Sequence, residues 1–105
     1  MSKAKKSDNV FADLGLPDAD DLLARAELTR QIYNAIKERE LSQVKAGEVL
    51  GLKQPDVSLL MRGKYTRFST DRLLNLLVRL GRNVEIVIRT PKSTKSHGRV
   101  TVVAA

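Results

Sequence analysis

Gln43-Val44-Lys45-Ala46-Gly47-Glu48-Val49-Leu50-Gly51-Leu52-Lys53-Gln54-Pro55-Asp56-Val57 is the stretch on which the fold turns. Ala46 and Leu50 fall one helical turn apart, and Val57 and Leu60 recur at helical spacing after them, so two short helices can face each other. Between them Gly51 supplies a residue that tolerates a left-handed backbone, and Leu52 supplies an apolar anchor for the corner. Gly47 fits a position where the two helices approach too closely for a side chain. A bulky residue there is expected to force the helices apart, and alanine to be tolerated. The spacing is that of a helix-turn-helix unit; the blander reading is any helical hairpin with a glycine turn.

The flanks favour the first reading. Ser42 can cap the first helix, with Leu41 before it and Ala46 after it at staple spacing. Behind the second helix comes Arg62-Gly63-Lys64-Tyr65-Thr66-Arg67, a basic loop beside whatever that helix touches. The net charge of +7 is distributed to match. Residues 1–48 hold 8 Lys/Arg against 9 Asp/Glu, whereas residues 49–105 hold 11 against 3. A basic surface beginning at the second helix is what a phosphate footprint requires, although basic residues also serve solubility.

With 105 residues there is room for one small domain, and with two Phe, two Tyr and no Trp its core must be aliphatic. No cysteine is present, so neither a disulfide nor a thiolate metal site can staple it. The lone histidine, His97, lies in a polar stretch and makes a metal site improbable. No apolar run reaches the ~18–20 residues of a membrane span, and no signal-peptide core follows the basic start, which reads as a cytoplasmic protein. Asp20 with Asp21, or Glu38 with Glu40, are read as capping acids and a solvated face rather than an acid–base pair. No catalytic triad or glycine-rich phosphate loop is visible, so no enzyme, cofactor or metal is expected.

Outward from the motif, residues 1–9 read as a disordered basic tail, and Val10, Phe11, Leu14 and Leu16 as a short apolar hook. Pro17 and Asp18 open a long helix running to about Arg39, with Leu22, Leu23, Ala26, Leu28, Ile32, Ala35 and Ile36 as its apolar face. Ser69 caps a later helix with Phe68 and Leu73 at staple spacing, and Gly81 ends it; Arg72, Arg79 and Arg82 read as its solvated face. Val84-Glu85-Ile86-Val87-Ile88-Arg89 reads as a strand. It must pair with Val100 to Val103, with a second copy of itself, or with another protein.

Leu41-Ser42-Gln43, Leu50-Gly51-Leu52, Gln54-Pro55, Val57-Ser58 and Arg62-Gly63-Lys64 resemble the phage Cro/repressor (XRE) class of helix-turn-helix proteins. Val10-Phe11-Ala12-Asp13-Leu14-Gly15, Phe68-Ser69, Leu80-Gly81-Arg82 and Val84-Glu85-Ile86 resemble its HigA-like antitoxin subgroup. The resemblance spans about residues 10 to 91. It implies a mainly α protein, a four- to five-helix lambda-repressor-like DNA-binding domain over 10–81, with a C-terminal β-strand dimerisation arm at 82–91 and a basic tail or second strand at 92–105. It also implies a dimer on double-stranded DNA and, for many members, a ribonuclease toxin of the RelE type as partner; others are orphan regulators. Three residues depart from the pattern: Lys53 is a poor N-cap, Pro55 occupies the first turn of the second helix, and Leu59 stands where a polar reader is common.

In this geometry the second helix, about 54–61, enters the major groove with its first residues towards the base edges. Lys53 can donate to guanine O6 or N7, and Gln54 can both donate to and accept from adenine. Ser58 lies one turn further on, and Leu59 either touches a thymine methyl or covers the helix pair. Gln43, Arg62, Lys64 and Arg67 are assigned to phosphates, which position without specifying sequence. Ala46, Gly47, Leu50, Gly51, Leu52, Val57 and Leu60 are the motif's structural residues. The reading is of a sequence-specific repressor of the antitoxin autoregulator type, with toxin neutralisation as the alternative main role.

Overall fold

The computed structural model describes residues 18–92 and 98–105. The expected tail at 1–9, the apolar cluster Val10 to Leu16, Pro17 and His97 lie outside those residues. The described helices are α1 (Asp18–Glu38), α2 (Gln43–Leu50), α3 (Gln54–Met61) and α4 (Thr70–Arg79), with a single 3-10 turn at Tyr65–Arg67 before α4. The long α1 packs along α4 and also touches α3 and the 3-10 turn, while α2 packs on α3 and α4. Leu28, Ile32, Ala35 and Ile36 of α1 meet Ala46 and Leu50 of α2, Val57 and Leu60 of α3, and Phe68, Leu73, Leu76, Leu77 and Leu80 in one aliphatic core.

The buried face of α1 is the expected one at Leu28, Ile32, Ala35 and Ile36 and departs from it in the first turns. Asp21, Ala24, Leu28, Thr29, Ile32, Ala35 and Ile36 are buried, whereas Leu22 is 38% and Leu23 69% exposed. The buried set keeps steps of three and four from Asp21 onward, which places Leu22 and Leu23 roughly 100° and 200° out of phase with it. Asp21 is therefore not merely a capping acid. Its carboxylate accepts from the Arg25 guanidinium at 2.7 Å and from Thr70 Oγ at 3.2 Å. Arg25 also donates to the Phe68 carbonyl at 3.3 Å. This half-enclosed network ties the start of α1 to the corner that leads into α4.

Helix ends follow local chemistry. Ser42 accepts from the Lys45 amide at the start of α2, and Ser69 accepts from the Arg72 amide at the start of α4. Leu41 is half-buried before Ala46, and Phe68 is buried before Leu73, so both staples form. Gly51 ends α2 at φ 70°, and the Leu52 amide then donates to the Gly47 carbonyl at 2.9 Å. Glu40 performs the corresponding left-handed turn after α1 at φ 53° without being glycine, with the Leu41 amide donating to the Ile36 carbonyl. L side chains pay for that conformation with steric strain.

The expected β-strand arm has no support within the single chain. No strand occurs among the described residues, either at 82–91 or at 100–103. Val84, Ile86, Val87 and Ile88 are 39%, 76%, 61% and 91% exposed. Val102 instead rests against the helical core, and Val100 and Val102 lie beside Leu23 and Ala24 of α1. A ladder needs a partner for its amides and carbonyls, and the expected intrachain partner, Val100 to Val103, lies against the helices instead.

Candidate nucleic-acid interface

Ala46, Gly47, Leu50, Val57 and Leu60 are buried, Leu52 is half-buried, and Gly51 makes the left-handed turn. The expectation for Gly47 is corrected. A Cβ at Gly47 would sit 2.8 Å from the Leu52 carbonyl oxygen and 3.4 Å from Val57 Cγ2. The obstruction is the turn's own backbone, held there by the hydrogen bond that closes α2, so even alanine requires a backbone shift.

The turn presents the first residues of α3 to solvent. Lys53 precedes the helix with an extended backbone and no side-chain cap, and Pro55 occupies the first turn. Proline is acceptable there because the amide it removes has no intrahelical partner. Gln54 is exposed, and its Nε2 donates to Gln43 Oε1 at 2.9 Å. Gln43 is the first residue of α2, so one side-chain amide pair joins the starts of both motif helices. This bond fixes the rotamer of Gln54 while leaving its own carbonyl oxygen unused by that contact, an arrangement suited to bidentate adenine recognition.

Ser58 and Leu59 are half-buried on α3, and Leu59 packs against the core, consistent with the covering role. Arg62 is exposed and its Nε reaches back to the Ser58 carbonyl at 3.4 Å, where it complements the negative end of α3. Lys64 and Arg67 are exposed in and beside the 3-10 turn. Lys53, Lys64 and Arg67 make no ion pair among the described residues, so their charges stay available to an anionic partner. Away from this face, hydrogen bonds from Arg30 and Gln31 hold the Glu27 carboxyl below its ordinary range.

Asp56, not singled out in the sequence, and Arg72, read there as part of a solvated face, meet beside α3. Asp56, in the first turn of α3, lies 3.8 Å from the Arg72 guanidinium of α4, and Arg72 stacks 5.3 Å from the centre of the Phe68 ring. Arg72 is thus tied to its neighbours rather than being part of a bare solvated face. Arg82, by contrast, donates to Glu38 at 2.6 Å at the other end of α4. No group of three or more metal-ligating side chains gathers among the described residues, and no described helix is long and apolar enough to cross a membrane.

Comparison with known proteins agrees with this geometry. A family model described as a helix-turn-helix domain matches residues 10–89. Among solved structures, a chain described as an XRE family transcriptional regulator is similar at 39% identity and a TM-score of 0.77, over 85% of this chain and 100% of that one. No curated protein matches.

Proposed function

The chain belongs to the XRE helix-turn-helix family of DNA-binding transcriptional regulators, and from that premise we propose that it is a sequence-specific repressor that binds as a homodimer, with α3 in the major groove. The observation that carries the reading is Gln54, exposed at the start of α3 and held by Gln43. In this role Lys53, Gln54 and Ser58 meet base edges, with Leu59 beside a thymine methyl where it is not occupied in covering the helices. Gln43, Arg62, Lys64 and Arg67 meet phosphates.

The dimer contact is assigned to the segment 82–91. Its β-branched run is exposed, yet it falls within the matched family region, which extends to residue 89. Pairing this run with the same run of a second copy would supply the ladder that one chain lacks and bury its apolar side chains. The recognition helices must then be about 34 Å apart to enter successive major grooves. The same exposed run favours a second reading, in which it docks a partner protein and the chain is an antitoxin that neutralises a RelE-type ribonuclease toxin, with DNA binding as autoregulation. Copurification of a small basic protein encoded beside this gene distinguishes that role.

Selecting fragments from a random duplex pool with the purified chain tests the first reading. A two-fold site with half-sites one helical turn apart is expected. Recovery of fragments with no common sequence would contradict sequence-specific binding.

A further inference from the structure

α3 projects Gln54 and Asp56 about 160° apart around its axis, on opposite flanks of the helix. The Gln54 flank is bordered by Gln43. The Asp56 flank is bordered by Arg72, which reaches across from the first turn of α4. A helix lying in the major groove has a phosphate backbone along each side, so each flank faces one strand. The basic loop ending at Arg67 leads into α4 on this second side.

Arg72 is held rather than loose. Its guanidinium stacks at 5.3 Å on Phe68, which is itself only 3% exposed. The corner carrying Phe68 is fixed from behind by Arg25 donating to the Phe68 carbonyl and by Thr70 donating to Asp21. On another side lies the Asp56 carboxylate, at 3.8 Å. The Arg72 and Asp56 side chains are 48% and 40% exposed, so the guanidinium keeps donors open to solvent.

We propose that Arg72 is the phosphate contact on the flank of α3 opposite Gln43, and that Asp56 is the residue that positions it. The inference rests on the DNA-reading role of α3. A guanidinium held by an aromatic face and a carboxylate is pre-oriented, and its planar fork can bridge two phosphate oxygens. Asp56 carries a cost in this position, because a carboxylate near a phosphate backbone is repelled. That cost gives the two roles of Asp56 opposite signs. Simple charge counting says that neutralising it raises DNA affinity, whereas a positioning role says that affinity falls.

The test measures binding to the selected site and to a random duplex of equal length over a range of salt, with thermal melting of each variant as the folding control. Arg72→Gln is expected to weaken both duplexes by a similar factor, about 5- to 10-fold at low salt, and to lower the salt slope by about 1. Arg72→Lys, which keeps a point charge, restores most of the slope. Asp56→Asn is expected to weaken both duplexes about 2- to 3-fold, with the Asp56→Glu variant closer to the parent. Arg79→Gln, about 10 Å further along α4, leaves both unchanged. An unchanged slope for Arg72→Gln overturns the contact, and tighter binding by Asp56→Asn overturns its positioning role. A parent protein that binds neither duplex fails the DNA-reading role itself, a different outcome from either.

Discussion

Residues 42–61 and residues 84–88 are both rich in apolar side chains, yet only the first set makes structure within one chain. In the motif, Ala46, Leu50, Val57 and Leu60 are all at or below 2% exposure. In the second segment Val84, Ile86, Val87 and Ile88 stay in solvent. The difference lies in where the partners are. A helix satisfies its own backbone and needs only one apolar face covered, which α1 and α4 supply. A strand needs a neighbour for its backbone as well as its side chains, and among the described residues no segment pairs with it. The core is therefore built by the helices, and the run at 84–88 adds nothing to it within one chain.

The contrast is broken most severely at Gly47. Gly47→Leu is expected to unfold the domain, because any Cβ already meets the Leu52 carbonyl at 2.8 Å and a branched side chain adds overpacking of about 1–3 kcal/mol or more. Gly47→Ala should lower the melting temperature clearly rather than slightly; a melt like the parent's would mean that the turn yields without strain. Next comes Asp21→Ala, which leaves Arg25 without its carboxylate and Thr70 without its acceptor. A loss of about 3 kcal/mol in chemical denaturation is expected, as for breaking an enclosed ion pair from one side. A loss below about 1 kcal/mol would place the network in solvent in practice.

The second region should respond in the opposite manner. Truncation after Asn83 keeps Arg82, whose amide donates to the Leu77 carbonyl and whose side chain meets Glu38, and removes only the exposed run and the tail. The helical domain should remain folded, losing about 1 kcal/mol for the half-buried Val102 contact. Sedimentation should show it mainly monomeric at micromolar concentration. A truncated chain that stays dimeric moves the dimer contact onto the helices. The smallest effect is a gain. Glu40→Gly should stabilise the chain by roughly 0.5–1 kcal/mol by relieving the left-handed turn after α1. No gain in the denaturation midpoint would mean that the turn is unstrained.

Legibility in the sequence followed the same division. The motif helices, their caps and the glycine turn were readable because each depends on residues within a few positions: Ser42 on Lys45, Gly51 on Gly47 and Leu52. Only the start of the apolar face of α1 departs from its expected phase: Leu22 and Leu23 look like core by composition, while the inward positions there are taken by Asp21, which meets Thr70, and by Ala24. One local clue existed, since Asp21 and Arg25 stand four residues apart with opposite charge. The Gly47 contact escaped because it is made by a backbone oxygen, which no side-chain pattern records. Within the candidate interface, Gln43 and Gln54 were found separately, but their bond joins residues on two helices and appears only once the turn is built. The contact between Asp56 and Arg72 likewise joins two helices and shows only in the fold.

The proposed reading of base edges by α3 through Gln54 is tested most directly by binding of Gln54→Ala to selected and random duplexes. The variant is expected to lose about 1–3 kcal/mol on the selected site while its binding to random DNA and its salt slope stay close to the parent's. Equal losses on both duplexes would contradict it, since that is how a phosphate contact behaves.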